Sequence, residues 1–75
     1  MTEQIAGPGD ALVIERPNGQ CDVRTMNADG IWEPLGGGVK DVHTAWGIAR
    51  TNILRKGCVV WYRHEAEPDS AIRPY

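Results

Sequence analysis

The chain has 75 residues, 41% of them apolar, with eight Lys and Arg against ten Asp and Glu for a net charge of −2. That is the length of one domain, and the charge balance argues against a dedicated nucleic-acid binder, which carries a basic excess. No apolar run reaches half a membrane span, and the acidic start Met1-Thr2-Glu3-Gln4 is followed by no apolar leader segment, so the expected compartment is the cytoplasm.

Residues 1–10 read as a flexible lead-in that ends on the break Gly7-Pro8-Gly9-Asp10. The folded domain is expected over 11–64. Its first strand is Ala11 to Arg16, β-branched at its centre and stopped by Pro17-Asn18-Gly19, where the chain should reverse. A second strand, Gln20 to Met26, alternates. Cys21, Val23 and Thr25 share one face, while Gln20, Asp22, Arg24 and Met26 share the other. After the turn signal Asn27-Ala28-Asp29-Gly30, Ile31 to Leu35 reads as a short third strand. Pro34 has no amide to donate and assigns it to an edge. Gly36-Gly37-Gly38 then reads as a loose connection.

Asp41 to Lys56 is the one helix candidate. Val42, Ala45, Trp46, Ala49 and Ile53 fall on one side of a helical wheel. Asp41 or Thr44 can cap its start. Arg55 and Lys56 suit the negative end of the dipole, and Gly57 suits the residue beyond the end. Cys58 to His64 is the strongest strand signal. Val59 and Trp61 share one face; Cys58, Val60 and Tyr62 share the other. Residues 65–75 read as a polar, extended or disordered tail with two apolar anchors, Ile72 and Tyr75. The order predicts a small two-layer α+β domain of β-β-β-α-β order, one helix on a mostly antiparallel sheet of three or four strands. Phe is absent, so Trp32, Trp46 and Trp61 are expected to supply much of the core.

Chemistry-bearing constellations are sparse. Cys21, His43, Cys58 and His64 are zinc-capable, but none form the close pairs that mark a zinc motif. Both cysteines lie in strand-like segments and read as reduced, buried thiols. Gly36 to Lys40 precedes a helix yet lacks the phosphate-loop pattern. No nucleophile has a supporting base at a defined spacing, and a chain this short has little room for a core plus a catalytic pocket. The expectation is a non-enzymatic interaction module without metal or cofactor, acting on a protein partner or a second copy of itself. One helix covers one sheet face. The other should leave an apolar stripe, unless the 65–75 tail folds across it through Ile72 and Tyr75, so Val59, Trp61, Tyr62, Ile72 and Tyr75 are the candidate interaction residues. The alternative is weak nucleic-acid binding by Lys40, Arg50, Arg55, Lys56 and Arg63, with Trp61 or Tyr62 as a stacking face.

Overall fold

The computed structural model describes residues 5–53 and 57–75. Five strands, β1 (Ala11–Glu15), β2 (Cys21–Met26), β3 (Trp32–Val39), β4 (Val60–His64) and β5 (Arg73–Pro74), form one sheet in the order β3-β2-β1-β4-β5. The helix α1 (Val42–Thr51) connects β3 to β4 and packs on one face. β1 and β4 run parallel; the other three pairings are antiparallel. The domain is therefore of the expected α+β class, with a mixed sheet one strand larger than expected.

The two faces of the sheet follow from its period of two. Ala11, Val13, Cys21, Val23 and Val60 meet the helix at Ala45 and Ala49, both fully buried. Two alanines one turn apart let the helix lie close to the sheet, so this core consists of small and medium side chains. Its largest wholly buried side chains are Val13, Val23 and Cys21, while Leu12 is buried on the opposite face. Of the three tryptophans expected to supply the core, only Trp61 is fully buried. Trp61 is buried on the opposite face, Trp32 is half-buried beside it, and Trp46 sits half-buried at the rim of the helix.

Asp41 caps the helix as expected, its Oδ1 accepting from the Thr44 amide at 2.7 Å. The far end departs from expectation. The helix stops at Thr51, because the Asn52 side chain takes the Ile48 carbonyl and the Thr51 hydroxyl takes the Gly47 carbonyl, both at 2.8 Å. The expected terminal residues Arg55 and Lys56 lie outside the described residues. Gly57, at φ +93°, belongs to the approach to β4, well past the end of the helix.

Two other segments are more ordered than the sequence suggests. β3 runs through all three glycines to Val39, with register shifts opposite the stretch between Cys21 and Arg24. Gly38 takes φ +66°, which only glycine adopts without strain. Residues 65–75 are not a loose tail. A 3₁₀ turn, Asp69–Ala71, leads into β5, which pairs with Trp61 and Tyr62. Nor is the end of the lead-in loose: Gly9 and Asp10 extend the β1–β2 ladder through bonds with Met26.

Candidate functional site

The parallel pairing of β1 and β4 brings Glu15, at the end of β1, beside Tyr62 on the helix-bearing face. The Tyr62 hydroxyl donates to Glu15 Oε1 at 2.7 Å. β5 then lays Arg73 opposite Tyr62, with its guanidinium 4.9 Å from the ring centroid. Both terminal nitrogens of Arg73 are held at 3.0 Å by Glu67. Two residues on, the Tyr75 amide donates to the Val60 carbonyl, which turns the Tyr75 ring to the helix side. That ring stands 6.0 Å from Tyr62, edge to face, and 6.0 Å from Trp46. Together Glu15, Val42, Tyr62, Arg73, Pro74 and Tyr75 line an open cleft of about 340 Å³ beside the start of α1.

The electrostatics follow from these contacts. The hydrogen bond to Glu15, with burial and the carboxylate's charge behind it, pushes the Tyr62 hydroxyl up to about 12. It therefore stays a neutral donor. Arg73 and the amide of His64 hold Glu67 below its ordinary value, and Glu67 raises Arg73 in return. The pair lies beside β4 and β5, while Glu15 lines the cleft.

The five candidate interaction residues divide between two faces. Tyr62 and Tyr75 belong to the cleft. Trp61, Val59 and Ile72 lie on the other face with Leu12 and Ile14. The apolar stripe expected to be exposed there is covered by the chain itself. Trp61 is only 3% accessible, because Ala6, Trp32 and Ile72 pack over it. Its indole Nε1 donates to Asp10, a buried carboxylate that also accepts from the amides of Gly7 and Val59. The basic residues of the nucleic-acid reading are likewise not one patch. Arg50 and Lys40 are exposed on the helix and its approach, but Arg63 is buried on the opposite face, donating to the Glu67 carbonyl. Arg55 and Lys56 lie outside the described residues.

Cys21 is fully buried, and burial together with Glu15, Asp41 and Asp22 pushes its thiol up, away from the nucleophilic thiolate. Among the described residues no three His, Cys, Asp or Glu side chains converge as a metal site would require.

Sequence reasoning missed Glu15, Val42, Arg73 and Pro74 as cleft residues. They come together through the β1–β4 register and through β5, neither of which has a local signal. Asp10 was also missed; read as part of a Gly-Pro-Gly break, it is a turn residue whose carboxylate points inward. The chain matches no protein-family model, no curated protein and no solved structure.

Proposed function

We propose that this chain is a non-enzymatic interaction module of the cytoplasm that holds a protein partner, a second copy of itself included, in the Tyr62–Tyr75 cleft. The observation that carries this reading is the half-exposed Tyr75 ring, clamped between Trp46 and Tyr62 beside an open, mostly apolar hollow. Rigid aromatics with a polar tip concentrate binding energy because little side-chain freedom remains to be lost. Both sheet edges are poor docking sites by comparison. β3 carries Pro34 and its register shifts, and β5 is two residues long with Pro74 at its end. The two thiols, unpaired with each other, suit a reducing compartment.

The test is site-specific photocrosslinking in cells of the source organism. A photoreactive phenylalanine derivative in place of Val42 lines the cleft; the same group in place of the exposed Asp29 reports the opposite end of the sheet. A discrete protein adduct from position 42, absent at position 29 and lost with Tyr75→Ala, is the expected result. Equal capture at both positions, or none, sinks the reading. Light scattering of the purified chain tells a second copy from a different protein.

A further inference from the structure

We infer that the cleft selects a cationic side chain, a guanidinium or an ammonium group presented by the partner; this rests on the cleft being the docking site. Charge complementarity carries it. The charged groups facing the hollow are Glu15 from β1 and Arg73 from β5, while α1 contributes the uncharged Val42. Arg73 is already balanced by two hydrogen bonds from its guanidinium to Glu67. Among the described residues no cation forms an ion pair with Glu15; its Oε1 accepts from the neutral Tyr62 hydroxyl, and no other donor among them reaches its carboxylate. Among the described residues, the cleft thus holds one carboxylate that no cation pairs.

The walls suit the same ligand. The face of an aromatic ring attracts cations, and the Tyr75 ring is 49% exposed beside the carboxylate. The protein already makes this kind of contact internally, where the Arg73 guanidinium lies 4.9 Å from the Tyr62 centroid. Pro74 and Val42 offer apolar surface to the methylene stem that carries an Arg or Lys head group. A hollow of about 340 Å³ is small for a binding cavity. It accommodates one long side chain rather than a whole secondary-structure element. An incoming anion would meet Glu15, and an incoming aliphatic side chain would bury that carboxylate unpaired.

The probes are three capped tripeptides, acetyl-Gly-Xaa-Gly-amide with Xaa as Arg, Lys or Glu, titrated into the isotope-labelled full chain and followed by NMR. The expected result is saturable shifts of Tyr62, Tyr75 and the Trp46 indole with Arg or Lys, at a dissociation constant of about 1–10 mM, and none with Glu. Glu15→Gln keeps an acceptor for Tyr62 but removes the charge, and should weaken the Arg peptide about tenfold. Tyr75→Leu, a second variant that keeps the apolar volume, should weaken it as well. Unchanged signals from the β1–β2 core confirm that both variants are folded. The inference is overturned if the Glu peptide binds as well as Arg, if Glu15→Gln binds the Arg peptide unchanged, or if no probe saturates. Photocrosslinking at position 42 keeps the two ideas apart. Adducts there with no cation preference remove this inference alone, and no adducts remove the docking site itself.

Discussion

Asp10 accepts three hydrogen bonds while only 6% exposed, from the Gly7 and Val59 amides at 2.9 Å and from the Trp61 indole at 2.8 Å. It joins the start of β1 to the approach to β4, and so sets which side chains of β4 face the helix. Replacing it by Ala orphans buried donors, which should cost about 2–4 kcal/mol in chemical denaturation. Asp10→Asn, which keeps one acceptor oxygen but turns an amide donor toward the other set of donors, should cost less than Asp10→Ala; a loss as large as that of the alanine variant would mean that both acceptors are needed. Tyr62 makes a second test at this scale. Its hydroxyl, raised from the ordinary 10 to about 12, favours the neutral form in the folded chain. The associated stability is fully present below pH 10 and is lost as pH rises through about 12. Ultraviolet absorbance should show that late titration, and Glu15→Ala should move it down towards the ordinary value. Asp41 works in the opposite sense. The Thr44 amide and hydroxyl lower its pKa, so its contribution holds above the ordinary 3.8 and is lost as pH falls through the lowered value. The Asp41 cap was legible because an N-cap is a local rule, satisfied three residues away. The roles of Asp10 and Glu15 were not, because their partners lie 51 and 47 residues along the chain.

Among the elements, β1, β2 and the start of α1 follow sequence pattern closely, since alternation and capping act within a few residues. The end of α1 and the length of β3 do not. Arg55, Lys56 and Gly57 look like a helix terminus, yet Thr51 and Asn52 close the helix earlier by bonding its last carbonyls. Three consecutive glycines look like a linker because they offer nothing to bury; β2 nonetheless pairs with Gly36 and Val39, on either side of a register shift. Here tertiary pairing overrides propensity, and conformational freedom is what the segment supplies. Gly38, at φ +66°, is where that freedom is needed, whereas Gly36 has open space around its missing Cβ and an ordinary φ. Gly38→Ala should therefore cost about 1–2 kcal/mol, and Gly36→Ala should leave thermal stability nearly unchanged. Equal effects would count against the register of β3. Trp46 also changes in weight. A fully buried tryptophan cut to Ala costs about 3–5 kcal/mol, but at the half-buried rim about 2 kcal/mol is expected. The larger share of the damage should fall on the Tyr75 ring it supports.

At the scale of the whole molecule, a two-layer fold with one helix must find something else to cover its second face. Leu12, Ile14 and Trp61 are at most 3% exposed there, although no second helix among the described residues lies over them. The cover comes from residue 6 on one side and from Trp32 and Ile72 on the other, with Arg63 pinned beneath by the Glu67 carbonyl at 2.8 Å. The Cα radius of gyration of 11.5 Å matches the value of about 11 Å for a compact chain of this length, as it should if the last ten residues lie on the body. A chain ending at Glu65 loses Ile72, β5 and the Arg63 acceptor together, and Trp61 is then uncovered. The full chain should stay monodisperse by light scattering without partner, whereas the shortened chain should associate and melt at lower temperature, with Trp61 fluorescence shifted towards that of a solvated indole. Ile72→Ser separates burial from chain length: it keeps β5 and the Glu67–Arg73 pair, removes the apolar seal, and should cost about 1 kcal/mol for a half-buried side chain. If the shortened chain stays monomeric with an unaltered melting temperature and an unmoved Trp61 signal, residues 66–75 contribute nothing to closing the second face. The stripe of Val59 and Trp61 would then have to be sealed by Ala6 and Trp32.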